Sequence, residues 1–190
     1  DILLAFENGG TIGGLIGGPN GSSFSAYDIL RFSPDSLGEN TAGAWSFYFD
    51  GSDVGLAGDS DLRIRAMSVA DDGSIIMATR GGGSLPGIGS FKPQDLVRFT
   101  ATSLGATTAG TWQIHFDGSD VGLSKNGEKL DAAFFNADGT LMMSTKGNFN
   151  AGGFGGSRGD LFTFAASSTG SNTEGDFALY LSSGQMGLGG

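Results

Sequence analysis

Apolar and polar residues alternate with a period of two in several short stretches, and no stretch sustains a helical period. Trp45, Phe47 and Phe49 fall on one side of an extended segment, with Ser46 and Tyr48 on the other. Trp112, Ile114 and Phe116 repeat the pattern with Gln113 and His115 opposite, and Phe177, Leu179 and Leu181 repeat it again. Such alternation predicts β-strands with one covered face. Residues 75–77 and 141–143 are continuously apolar, as in strands covered on both faces. Glycine interrupts every candidate helix, so the chain is predicted to be all-β.

The strands recur in a long period. Asp28-Ile29-Leu30-Arg31-Phe32 returns 67 residues on as Asp95-Leu96-Val97-Arg98-Phe99, and 65 further as Asp160-Leu161-Phe162-Thr163-Phe164. The string from Phe49 to Leu56 (FDGSDVGL) is identical from Phe116 to Leu123, and degraded in the last copy, where Ser182-Ser183-Gly184-Gln185-Met186 replaces Asp-Gly-Ser-Asp-Val. The Asp72-Gly73 turn matches Asp138-Gly139. One repeat domain therefore spans residues 1–190, in three copies of about 66 residues at 1–56, 57–123 and 124–190.

Each unit resolves into four short strands. In the last copy these are 130–136, 140–145, 161–164 and 177–181, the first two joined by a turn at 137–139. Asp-Gly between apolar runs is a strong hairpin signal. A repeated unit of four antiparallel strands predicts β-propeller-like blades, with a β-sandwich or solenoid as the alternative. Residues 2–6 match the second strand of a unit, so three units less one strand, eleven strands, are expected. Propellers typically have about four to eight blades. The chain is thus expected to be a segment of a longer repeat protein or to associate with copies of itself, and its start at Asp1, without Met, suggests a processed or excised product.

Composition narrows the setting. With 20 acidic and 10 basic residues the net charge is −10, which disfavours nucleic acid and anionic lipid and favours cations or basic partners. There is no cysteine, so no disulfide framework, and no apolar run approaches the ~18 residues of a membrane-inserted helix.

The DxLxF strand, the T-x-G-x-W…FDGSDVGL string and the D-G hairpin together resemble repeats of large secreted or cell-surface bacterial proteins, of propeller-type or adhesin-like character. That resemblance covers essentially the whole chain. It implies an extracellular or cell-surface location and carries no activity with it.

The Asp-Gly-Ser-Asp loops are the best candidate sites. Asp50 with Asp53, and Asp117 with Asp120, place two carboxylates around a Gly-Ser turn. Hard oxygen ligands so spaced suit Ca2+, which needs six to eight oxygens, so carbonyls or water would have to complete the shell. The alternative is an Asx-type turn in which each Asp caps backbone N–H groups. The glycine-rich connections 9–21, 81–89 and 147–159 hold Ile12, Leu15, Ile16, Leu85, Ile88, Phe149 and Phe154 in positions open to a binding surface or to local packing. They lack the Lys-Ser/Thr ending of a phosphate loop. Gly155-Gly156-Ser157-Arg158-Gly159 spells a nucleophile-elbow string without its strand–turn–helix context. His115, the only histidine, occupies a position held by Tyr48 and Tyr180 in the other copies, which suits a variable ladder position.

The expected function is that of a non-catalytic extracellular module for adhesion, matrix or envelope assembly, with Ca2+ as the one candidate ion. Its expected partners are itself, a longer parent chain, other surface proteins or glycans. The alternatives are a propeller-type hydrolase or lyase using carboxylates, and a lectin-like carbohydrate-binding module.

Overall fold

The structure, a computed structural model, describes residues 1–136 and 138–188. Ala137, the first residue of one expected turn, and Gly189 and Gly190 lie outside the described residues. The described chain is all-β, in three larger antiparallel sheets and three two-stranded hairpins. The first sheet holds β1 (Ile2–Ala5), β4 (Ile29–Ser36) and β5 (Ala42–Phe49), in that order. The small hairpin of β2 (Gly10–Thr11) and β3 (Ser23–Phe24) is inserted after β1.

The second sheet runs β6 (Ile64–Val69), β7 (Ile75–Thr79), β10 (Leu96–Ser103), β11 (Ala109–Phe116), with β8 (Gly83–Leu85) and β9 (Gly89–Phe91) inserted as a hairpin. The third repeats this with β12 (Leu130–Phe135), β13 (Leu141–Thr145), β16 (Leu161–Ser168) and β17 (Glu174–Leu181), and the hairpin β14 (Phe149–Ala151) with β15 (Phe154–Gly156). Eleven strands thus make up the larger sheets among the described residues, in the expected phase. The glycine-rich connections are these inserted hairpins, which short apolar runs broken by glycine did not reveal.

Local chemistry sets the turns. Gly73 follows Asp72 with φ of 81°, a left-handed conformation glycine adopts without steric cost, while Asp72 Oδ1 accepts from the Ser74 N–H at 3.1 Å. A different glycine is required by proximity. A Cβ on Gly110 would lie 2.3 Å from the Thr100 carbonyl oxygen and 2.6 Å from the Phe99 ring. Gly43 and Gly175 meet Phe32 and Phe164 in the same way. The glycine of T-x-G-x-W is therefore the seat of the phenylalanine of DxLxF on the neighbouring strand.

A β-bulge changes the expected faces of the last strand in each unit. Leu30 pairs with Phe47 but Ile29 pairs with Phe49, so Tyr48 is the extra residue. His115 and Tyr180 are skipped identically. One inserted residue turns the side chains beyond it to the other face. Phe47 therefore packs with Leu30 on one side of the first sheet, while Phe49 joins Ile29 on the other. In the second sheet Trp112 and Ile114 face the first sheet, and Phe116 faces the third. The aromatic stripe divides between two interfaces.

Those interfaces form the core. Between the first and second sheets, Phe49 meets Phe99 edge to face at 5.3 Å and 80°; between the second and third, Phe116 meets Phe164 at 5.2 Å and 81°. Each buried phenylalanine contributes about 1.5–3 kcal/mol over its exposed state. A third cluster, Leu15, Leu30 and Phe47, lies on the far side of the first sheet. There the longest of the inserted connections folds back. Ile16 bridges to β5, donating its N–H to the Trp45 carbonyl at 3.2 Å and accepting from the Phe47 N–H at 2.9 Å. This places Leu15 over Leu30 and Phe47, so the first repeat covers this cluster with its own loop.

Candidate functional site

The FDGSDVGL loops lie where one sheet meets the next. Asp50 Oδ1 accepts from the Ser52 N–H at 2.9 Å and from its hydroxyl at 2.6 Å, closing an Asx turn. Its own N–H reaches into the next repeat, donating to Thr108 Oγ1 at 2.9 Å. Asp53 returns the contact, its Oδ2 accepting from the Thr108 N–H at 2.8 Å. The Thr108 hydroxyl donates to the Gly105 carbonyl at 2.9 Å, and the Trp112 indole N–H donates to the Val54 carbonyl at 2.9 Å. Both atoms of one threonine are thus clasped by the loop of the preceding repeat.

The same clasp is built a second time. Asp117 N–H donates to Thr173 Oγ1 at 2.8 Å, Asp120 Oδ2 accepts from the Thr173 N–H at 2.8 Å, and Asp117 Oδ1 accepts from Ser119 at 3.0 and 2.6 Å. Asp50 and Asp53, like Asp117 and Asp120, therefore sit in turn-and-clasp geometry with backbone and hydroxyl partners, as in the Asx-turn alternative. Among the described residues no three or more His, Asp or Glu side chains gather as metal ligands.

The aspartate that opens DxLxF completes each loop, a role that sequence reasoning missed. Asp28 accepts from the Ser25 N–H at 2.6 Å and the Gly51 N–H at 3.2 Å; Asp95 accepts from Lys92 at 2.7 Å and Gly118 at 2.9 Å. Burial raises the pKa of both above the usual aspartate value, and their hydrogen bonds offset this only in part. The recurrence of this aspartate was visible, but its partner 23 residues away was not.

The third copy keeps the loop and changes its chemistry. Leu188 N–H donates to the Ser183 carbonyl at 2.9 Å, as Leu56 does to Gly51 and Leu123 to Gly118. Gln185 stands in place of the clasping Asp53 and Asp120. Ser183 donates from both its N–H, at 2.8 Å, and its hydroxyl, at 2.7 Å, to Asp160 Oδ1. The Ser183 hydroxyl foremost, with the N–H groups of Ser157 and Ser183, holds the Asp160 carboxyl below the usual range. Ser183 fits because Gly159 faces it, where the first two repeats set Tyr27 and Gln94 against Gly51 and Gly118. Ser157 of the elbow-like string contributes a backbone N–H to Asp160 at 2.7 Å and opens no helix.

Two clefts flank the clasps at equivalent positions. One, of about 520 Å3, lies among Asp53, Val54, Pro86, Thr108 and Trp112; the other, of about 590 Å3, among Asp120, Val121, Ala151, Thr173 and Phe177. A larger cleft of about 730 Å3 includes His115, Arg98, Gln113 and Asn172, with no carboxylate in its wall. Burial lowers the pKa of His115 below its ordinary value, with Arg98 adding to the effect, and its ring lies 5.3 Å from Phe135. The apolar residues of the inserted connections divide: Leu15, Leu85 and Phe149 are buried, whereas Ile16 is exposed.

Compared with known proteins, the chain matches no family model, no curated protein and no solved structure.

Proposed function

We propose that the chain is a non-catalytic assembly module of an extracellular or cell-surface protein. In this reading its sheets are propeller-type blades, and it docks through the outward face of its third repeat onto a further repeat, in a second copy or a longer parent chain. One observation carries this. Leu56 and Leu123 are 0% exposed, each beneath the following repeat, whereas their counterpart Leu188 is 68% exposed. Leu161 and Leu181 are likewise half-buried, where Ile29, Leu96 and Phe49 are fully covered. A row that twice serves as an interface core is turned outward a third time, and exposed apolar rows mark interaction surfaces. The clasps join repeat to repeat at two equivalent places, and that recurrence supports assembly by addition of like units.

The test adds a further copy of residues 57–123 after residue 188. The expected result is one cooperative unfolding transition at a higher midpoint than the chain alone, because neighbour interfaces dominate repeat-protein stability. Independent melting of the added copy, with an unchanged midpoint for the rest, overturns the reading.

A further inference from the structure

At the junction of the first two sheets, a cleft of about 340 Å3 is lined by Ala5, Glu7, Arg63, Ile64, Arg65 and Arg80. Three of the chain's ten basic residues thus meet in one small space of a protein with net charge −10. The backbone brings them together. Arg63 and Arg65 flank Ile64 at the start of β6, and the Arg80 N–H, just past β7, donates to the Arg63 carbonyl at 2.9 Å. Among the described residues the ion pairs are Arg31 with Asp1, Arg98 with Asp72 and Lys125 with Glu128, so none of the three arginines is neutralised by one. The Arg63 Nε is buried without a hydrogen-bond partner. A buried, unpartnered guanidinium N–H carries a desolvation cost that an acceptor in the cleft would remove.

We propose that this cleft binds an oxyanion, whether sulfate, phosphate or the carboxylate of an acidic sugar. Guanidinium groups offer paired N–H donors that match the oxygens of such groups, and a charge-assisted bond is about twice as strong as a neutral one. The volume accommodates one sugar-sized group. Glu7 is the single carboxylate in the wall, so three guanidinium groups leave the cleft with a net positive charge in a protein that is acidic as a whole. The site stands apart from the proposed docking face and does not depend on it.

The second junction indicates how many such sites the chain has. There Arg80 takes the place of Glu7, Lys129 and Lys146 take those of Arg63 and Arg80, and Asp131 takes that of Arg65. Three guanidinium groups are reduced to one, and lysine lacks the planar fork that grips two oxygens at once. Asp131 accepts from the Ser144 hydroxyl at 2.6 Å and brings a negative charge to the position where the first junction has an arginine. Each junction thus gathers three basic side chains and one carboxylate, Glu7 at the first and Asp131 at the second, and the guanidinium forks alone single out the first as the site.

The test is isothermal titration of the whole chain with inorganic sulfate, inorganic phosphate and glucuronate in separate arms. The expected result is saturable binding with a stoichiometry of one in at least one arm; tighter glucuronate than sulfate or phosphate assigns an acidic sugar, and the reverse an inorganic ion. Arg65→Gln and Arg80→Gln should each weaken it by about tenfold or more, the loss of a charge-assisted bond. Arg158→Gln, whose side chain lies elsewhere, should leave it unchanged. Melting curves establish that each variant is folded, and Arg80, with an exposed side chain, provides the variant least able to disturb folding. No saturable binding in any arm, or binding undiminished in a folded Arg65→Gln Arg80→Gln variant, overturns the proposal.

Discussion

The Ser183 hydroxyl gives the opening aspartate of the third repeat a partner that the other two repeats lack. Asp160 accepts from Ser183 Oγ and is held below the ordinary aspartate pKa, whereas Asp28 and Asp95, facing glycine, are raised by burial. Proton linkage sets the signs. A lowered folded pKa gives stability that is full above the unfolded value, about 3.9, and is lost as pH falls through the folded value. A raised one gives stability that is full below the unfolded value and is lost as pH rises through the folded value. Asp160 therefore favours the fold at neutral pH, and Asp28 and Asp95 work against it. In Ser183→Gly the Asp160 pKa should rise in a carboxyl NMR titration, and acid unfolding should begin at higher pH. The loss at neutral pH should be about 1 kcal/mol, the net value of one hydrogen bond. An unmoved Asp160 resonance would show that the backbone N–H groups alone set its state.

Between elements, the clasp on threonine is the repeated device. Thr108 is buried and receives Asp50 and Asp53 from the preceding repeat; Thr41, exposed, has among the described residues only the local side-chain bond from its hydroxyl to the Gly38 carbonyl at 2.7 Å. Replacing each by valine makes a matched pair. Thr108→Val should cost about 1–3 kcal/mol in urea unfolding, since the Asp50 N–H is left buried and unpaired, and Thr41→Val about 0.5 kcal/mol or less. Equal losses would mean that the clasp adds nothing beyond the local turn. The strands, their phase and the Asp-Gly turns were legible in the sequence because alternation and repetition are local signals. The bulge at Tyr48, His115 and Tyr180 was not, since the register is set by a partner strand. The inserted hairpins were hidden because a two- or three-residue strand rich in glycine leaves no period to detect. The four aspartates were legible as special, but their partner was a threonine one repeat on.

Across the whole molecule, stability rests on two similar interfaces and on the loops between them. With the carboxylates of those loops already accepting protein hydrogen bonds, thermal melting in EGTA is expected to give the same midpoint as melting in Ca2+. A lower midpoint in EGTA would mean that a cation binds the native state, since such a ligand must raise stability. The two faces of the array also differ. Leu15 and Ile16 fold over the far side of the first sheet, while the third repeat presents Tyr180 and Leu188 outward, with Leu181 half-buried. An array of near-identical repeats faces a counting problem, because any unit could in principle be mistaken for its neighbour and paired out of step. The folded-back loop sets one unit apart from the other two. The loop-lined face and the bare one can be told apart, and that asymmetry gives the array a direction in which its order can be read.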